Sequence, residues 1–379
     1  MIRIAIYRGG TSKGIYLLEN DLPADPALRD QIILAIFGSP DSRQIDGLGG
    51  ADPLTSKVAI VSRSDRAGVD VDYTFGQVSL TTPHIDYSGN CGNLSAGVGP
   101  FAIDEGLVKV VEPVTSVRIF NTNTEKLIVA HVPVVGGKAA VEGDCVIAGV
   151  PGSGACIPLD FLNPEGAVTG KLLPTGRTRD TIAIEGYGSL EVSIVDAGNP
   201  VVFVRAQDMG MRGSELPNEL ESNPTLLRAL EQIRSVAAEM IGLVEEVGGV
   251  KKISKAVPKI IVVAPPQNYH ASNGREVKAH EVNLVARAMS MQRAHKAYPI
   301  TGAICTAAAT LMEGTVPWEV ASGLELGRVC IGHPMGVLPA EVMMEHKRDG
   351  YHIERVTLAR TARRLMTGYA YVPNSVWMR

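Results

Sequence analysis

The chain has 379 residues, 45% of them apolar and 20% charged, with a formal net charge of −4 and a pI near 6.1. That length suggests two domains, each able to bury its own core, and the composition is that of an ordinary globular protein. The mild acidity argues against nucleic acid as a partner, yet a local pocket can still take an anionic substrate.

No segment reads as a secretory signal or a membrane span. The longest apolar stretch, Ile300 to Met312, is interrupted by Thr301, Thr306 and Thr310 and reads as a buried helix. The five cysteines, Cys91, Cys145, Cys156, Cys305 and Cys330, are scattered without a CxxC pair. A disulfide framework or zinc site is therefore not expected, and a reducing cytoplasm is the expected setting. His84, His270, His280, His295 and His346 show no metal-ligand spacing.

In chain order, strands are predicted at Arg3–Tyr7, Lys57–Ser62, Val71–Phe75, Val117–Phe120 and Lys126–Val132. Further strands are predicted at Leu190–Val195, Val201–Val204 and Lys259–Val263, with Gly and Pro clusters between them. Helical spacing of apolar residues predicts helices over Asp25–Phe37, Pro224–Glu239 and Val277–Met291. The order is no regular βαβ alternation and predicts an α+β fold with much antiparallel sheet.

A faint repeat runs through this order. The turn Arg8-Gly-Gly-Thr-Ser-Lys-Gly is echoed by Asp196-Ala-Gly-Asn-Pro, each set against an apolar strand. Further along each half, a small-residue helix opens, one at Cys91 and ending near Glu105-Gly106, the other at Thr301 and ending at Glu313-Gly314. Two such halves would leave a cleft between them, a favoured place for a ligand.

Four stretches carry candidate chemistry. In Ser88-Gly-Asn-Cys-Gly-Asn-Leu-Ser, a helix start offers unpaired N–H groups that can hold a carboxylate without an arginine. Gly92 and Asn93 permit close approach, and Cys91 would lie within reach; a cysteine buried in a tight turn is the alternative. Lys57 sits where a glycine-rich loop enters a buried strand. It either extends to water or lies in a dry pocket, where a lysine can serve as a base. Thr11 and Ser12 belong to a turn that resembles a phosphate loop only superficially, because Lys13-Gly14 leads into a strand rather than a helix. His333, ahead of Pro334, is either a turn residue or a contact to an anion.

Taken together, these motifs resemble the PrpF-type isomerases. The carriers are Arg8-Gly-Gly-Thr-Ser-Lys-Gly, Gly38-Ser-Pro-Asp, Gln44-Ile-Asp-Gly-Leu-Gly-Gly, Leu54-Thr-Ser-Lys, Asn90-Cys-Gly-Asn, Gly99-Pro-Phe, Leu173-Pro-Thr-Gly, Ser290-Met-Gln, Thr301-Gly-Ala and Gly332-His-Pro. That family includes 2-methylaconitate cis–trans isomerase, 3-methylitaconate Δ-isomerase and 4-oxalomesaconate tautomerase. The resemblance implies a diaminopimelate-epimerase-like fold of two similar domains, each wrapping sheet around a central helix. We place them at residues 1–185 and 186–379, with an approximate boundary and terminal strands that can cross over.

The resemblance further implies allylic 1,3-proton transfer in a small unsaturated di- or tricarboxylate, with neither metal nor organic cofactor. Lys57 and Cys91 then match the family's catalytic lysine and cysteine. Thr11, Ser12, Ser56, Asn90, Gly92 and Asn93 are the expected substrate contacts of the first half. Those of the second half are Asn199, Thr301, Gly302, Ala303, His333 and Met335. The small carboxylate is the expected partner, with no nucleic acid and no membrane, and a homo-oligomer is compatible with the sequence.

Two competitors stand beside this reading. A two-thiol amino-acid racemase of the same fold needs a second cysteine at the start of the second central helix. Alignment of the helix ends puts Pro299 there and Cys305 well inside. A non-catalytic carboxylate-binding protein would have no need to keep both Lys57 and Cys91.

Overall fold

The computed structural model describes residues 1–247, 250–348 and 350–378. The chain divides into two compact units, Met1–Asp160 with Ala359–Arg379, and Phe161–Leu358. The sequence-derived boundary at 185/186 falls inside the second unit, and the C-terminal segment returns to the first.

In the first unit, β1 (Ile2–Gly9) and β2 (Ser12–Leu18) form an antiparallel hairpin closing at the Gly9–Ser12 pair. A helix, α1 (Pro26–Phe37), follows, with Asp25 accepting from the backbone N–H groups of Ala27 and Leu28 and Pro26 in its first turn. Next, β3 (Lys57–Arg63) lies parallel to β2, and β4 (Val71–Val78) lies antiparallel to β3. Then come α2 (Gly92–Ser95) and α3 (Val98–Asp104), and the hairpin of β5 (Val114–Asn121) and β6 (Lys126–Val135). β5 runs parallel to β4, and the returning strand Ala362–Ala370 pairs antiparallel with β1.

Alternation along these strands gives the sheet two apolar faces. Ile4, Ile15, Leu17, Val58 and Ile60 pack with Ile32, Ile33, Ile36 and Phe37 of α1. On the other side, Tyr7 and Tyr16 meet Phe101 of α3, with ring centroids 4.9–6.0 Å apart. Each such ring buries a large apolar area, and the tilted and edge-on arrangements suit the ring quadrupoles.

The second unit repeats the order. A hairpin of β8 (Gly188–Ala197) and β9 (Asn199–Arg205), flanked by β7 (Asp180–Ile184), is followed by α4 (Pro224–Met240). β10 (Lys259–Ala264) lies parallel to β9, and β11 (Leu284–Ser290) is antiparallel to β10. The buried helix α5 (Ile300–Thr310) precedes a hairpin of β12 (Arg328–His333) and β13 (Gly336–Lys347), with β12 parallel to β11. Element order and the sense of each pairing thus match between the units, the relation the glycine turns had suggested.

Two expectations need correction. Val277–Met291 is not a helix: a short strand, Glu276–Val277, and a 3-10 turn lead into β11. β11 lies between β10 and β12 in the sheet, and every residue from Leu284 to Met289 is buried, so both of its faces are covered and its apolar residues need not alternate and mimic a helical period. The helix expected from Cys91 to Glu105 is two short pieces. Pro100 has no N–H to return to the Ala96 carbonyl, and the break falls at Gly97. A side chain at Gly97 would put its Cβ 2.4 Å from the Tyr16 hydroxyl.

Candidate active site

The first unit gathers Thr11, Ser12, Lys57, Cys91 and Asn93 where the first ends of β2, β3 and α2 meet. Gly14 is the junction. A Cβ there would stand 2.7 Å from the Lys57 carbonyl oxygen and 2.8 Å from Leu94 Cδ1, so only glycine lets the three elements close. A separate cleft, lined by Leu18, Glu19, Arg63, Arg66 and Leu107, lies at the other ends of β2 and β3 and holds none of the candidates.

Lys57 is buried, 7% exposed, and opens β3. Its Nζ donates to Gln77 Oε1 at 2.8 Å and lies 5.2 Å from the centre of the Phe75 ring. Gln77 is held in one orientation, because its Nε2 donates to the carbonyls of Pro53 (3.1 Å) and Ser56 (3.0 Å). Those two acceptors need an NH2 group, so the amide must turn its oxygen to the lysine. The amine thus has a neutral hydrogen-bond partner. Sequence reasoning missed Gln77; the available signal was a polar side chain in the apolar end of β4.

Cys91 caps α2 with extended backbone (φ −116°, ψ 94°), and its side chain takes no part in capping. It is partly exposed and a free thiol. The Ser95 hydroxyl donates to the Cys91 carbonyl (3.1 Å) and reaches Asn90 Oδ1 at 3.4 Å, which ties the loop before the helix to its first turn. Beneath it, the fully buried Tyr16 hydroxyl donates to the Leu94 carbonyl. Burial, then the nearby Tyr73 and Cys91, pushes the Tyr16 phenol well above its ordinary range, so it remains a donor.

Thr11 N–H donates to Asn93 Oδ1 at 3.2 Å, joining the hairpin turn to α2. The Thr11 and Ser12 hydroxyl oxygens are both buried and have no hydrogen-bond partner. Ser56 is turned away into the loop, where its hydroxyl donates to Gln44 Oε1 at 2.7 Å. That same oxygen accepts from Ala51 N–H, so Gln44 organises the segment leading to Lys57.

In the second unit, Asn199 Nδ2 donates to Thr301 Oγ1 at 3.2 Å, again joining hairpin turn to helix start. Gly302 and Ala303 are buried in the same turn of α5. A Cβ on Gly302 would come within 2.9 Å of the Pro299 ring. His333 ends β12, 2% exposed, and its Nδ1 accepts from Met335 N–H at 3.3 Å. Tyr269 donates to the His333 carbonyl at 2.9 Å, so the histidine is also a fixed part of the β12–β13 turn.

The strand registers equate positions in the two units. Ser12 and Asn199 close the hairpins, Ile15 pairs with Val58, and Val202 pairs with Ile260; Lys57 therefore corresponds to Lys259. Lys259 instead donates to the Ala256 carbonyl at 2.8 Å. The counterpart of Cys91, as the cap of the central helix, is Pro299, which bears no acid. Cys305 is fully buried within α5, donates to the Val195 carbonyl at 3.2 Å, and is pushed well above the usual thiol range by burial. A two-thiol racemase has no second thiol at this helix start.

The family model described as PrpF protein matches residues 1–373. A 3-methylitaconate isomerase of Eubacterium barkeri is 50% identical over 373 residues, covering 98% of this chain and 97% of that protein. A 4-oxalomesaconate tautomerase of Pseudomonas putida is 41% identical, covering 98% and 96%. The crystal structure of a methylitaconate-delta-isomerase matches with a TM-score of 0.80 at 48% identity, over 99% of this chain and 96% of that one. The fold is the diaminopimelate-epimerase-like one, which solved proline racemase-like structures share. Among the described residues no helix is long and apolar enough to cross a membrane.

Proposed function

The chain belongs to the PrpF family and is an isomerase, and from that premise we propose that Lys57 and Cys91 move the proton in an allylic double-bond shift of 3-methylitaconate. The carrying observation is a buried lysine whose amine meets a neutral amide oxygen, in the same unit as a free thiol at a helix start. The substrate is the one named for the relative with half its residues identical. The second candidate is 4-oxalomesaconate, named for a relative at 41%.

An allylic hydrogen next to a carboxylate-bearing double bond is only moderately acidic. Lys57, as a neutral amine, takes that proton, and the C–H electron pair forms the new double bond. The old double bond opens toward its far carbon, where the Cys91 thiol delivers a proton. Charge that develops on the conjugated carboxylate meets the unpaired hydroxyls of Thr11 and Ser12. A positioned acid or base contributes on the order of 10²–10⁴ in rate, and fixed donors at the developing charge add to this.

Incubation with 3-methylitaconate, 4-oxalomesaconate and 2-methylaconitate, followed by absorbance of the conjugated double bond, tests the reading. The expected order of kcat/KM puts 3-methylitaconate first. No turnover of any of the three acids would rule the reaction out, and a clear preference for 4-oxalomesaconate would replace the substrate.

A further inference from the structure

The strand Gly350–Arg360 ends at Arg360, beside the β1–β2 turn. Thr361 holds it there, because its carbonyl accepts from Gly10 N–H (3.0 Å) and from Arg8 Nη1 (2.8 Å). A Cβ on Gly10 would lie 3.3 Å from Arg360 Cδ and 2.1 Å from Asn93 Oδ1, so the arginine stem passes next to the turn that Thr11 and Asn93 close.

Arg360 is 2% exposed, and its Nε and Nη2 have no hydrogen-bond partner. Burial pushes the guanidinium down to about 10, which still leaves it charged at neutral pH. The neighbouring Cys156 does not supply a counter-charge: burial, then the contact with Cys145, pushes it up to about 11. A buried charge without a partner is strongly destabilising, and such groups are kept where something pairs with them. Nε–H and Nη2–H lie on one edge of the guanidinium and point the same way, which is the geometry that clasps a carboxylate through two parallel hydrogen bonds. The unpaired Thr11 and Ser12 hydroxyls belong to the same turn. Moreover, α2 is only four residues long, so its backbone offers a weaker anion site than the sequence had suggested.

We propose that Arg360 binds one carboxylate of the substrate side-on through Nε and Nη2 and makes the enzyme selective for diacids over their half-amides. This rests on the reaction proposed above. Arg360 touches no bond that changes, so it sets affinity and selectivity rather than chemistry.

The test uses Arg360→Gln and Arg360→Lys in the full chain, with 3-methylitaconate, its two half-amides, and the saturated diacid 2,3-dimethylsuccinate as a non-reacting ligand. Both variants should raise KM for the diacid by on the order of 10²-fold, with kcat changed much less. The preference for the diacid over one half-amide should collapse by a similar factor, a readout that a structural role would not move. Calorimetry should show the same loss for 2,3-dimethylsuccinate. If wild type turns over none of the acids while its binding of 2,3-dimethylsuccinate depends on Arg360, the reaction is wrong and the arginine site stands. Four results overturn the site: an unchanged KM and selectivity, an equal fall against diacid and half-amide, no binding of the saturated diacid to wild type, or failure of both variants to fold with or without it.

Discussion

Replacing Gln77 by glutamate puts a carboxylate where the Lys57 amine now meets an amide oxygen at 2.8 Å. At an effective dielectric constant of ~20, opposite unit charges at that distance attract by about 6 kcal/mol. Desolvation of the new carboxylate takes back several kcal/mol, and the Pro53 and Ser56 carbonyls, now facing an acceptor, oppose it further. A net preference for the ammonium of roughly 1.4–2.8 kcal/mol remains, equal to one to two pH units. The sign follows from the role: a lysine base works only as the neutral amine. The acidic limb of the kcat/KM profile should therefore move to higher pH by about one to two units, and the rate at pH 7 should fall roughly 10–100-fold. Gln77→Met is the control, since it loses the same two hydrogen bonds to backbone, worth about 1 kcal/mol each, without adding charge. The assay is kcat/KM against pH for both variants, by absorbance, with thermal melts alongside. If the glutamate variant equals or exceeds the methionine variant at pH 7, Lys57 does not act as the neutral base. The thiolate would then be the base and the lysinium the acid.

Lys57→Met and Cys91→Ala should each lower kcat by on the order of 10²–10⁴, and Cys91→Ser should also be poor because a hydroxyl is a far weaker acid; steady-state kinetics on folded variants measures all three. Cys305→Ala should keep wild-type kinetics and cost about 1–2 kcal/mol of stability through lost packing. If it proved as impaired as Cys91→Ala, a two-thiol mechanism would replace the lysine–cysteine pair. Exhaustive chelation should leave turnover intact; a loss that only added metal restores would contradict proton transfer by side chains alone.

The turns and the buried helix were the most legible features. Gly9-Gly10 and Gly198 sit at hairpin closures, and their likeness revealed the repeat despite dissimilar strands. α1 and α4 were readable because each has an Asx cap and a Pro in its first turn, and α4 also has one apolar side. β11 was misread because a strand buried on both faces shows no alternation, and even Arg287 within it is almost fully buried. Its guanidinium donates to the Glu215 carbonyl at 2.5 Å. Lys57 and Cys91 emerged through motif likeness; Gln77 and Arg360 did not. Gln77 lies on the neighbouring strand, and Arg360 lies at the far end of the chain, brought beside Gly10 only by the returning segment. Contacts so distant in sequence leave no local pattern.

The repeat also shows where the two halves differ. Both units keep the scaffold: a hairpin turn hydrogen-bonded to the second residue of the central helix, Thr11 to Asn93 in one and Asn199 to Thr301 in the other. Both also keep a buried lysine at the same register of the strand parallel to the hairpin. What differs is the lysine's acceptor and the cap of the helix. Lys57 faces a side-chain amide from the next strand, whereas Lys259 bonds the backbone three residues before it. The first cap is a thiol and the second is proline, whose fixed φ favours a helix start but which has no proton to give. In the second unit these positions hold the turn and helix together. In the first, the cap is a free, partly exposed thiol, and the buried hydroxyls of Thr11 and Ser12 in the hairpin turn have no hydrogen-bond partner. A fold tolerates unsatisfied buried polar groups at a cost, and a ligand that completes the Thr11 and Ser12 hydroxyls would return that cost as binding, which supports the proposal that the first unit supplies the proton-transfer pair.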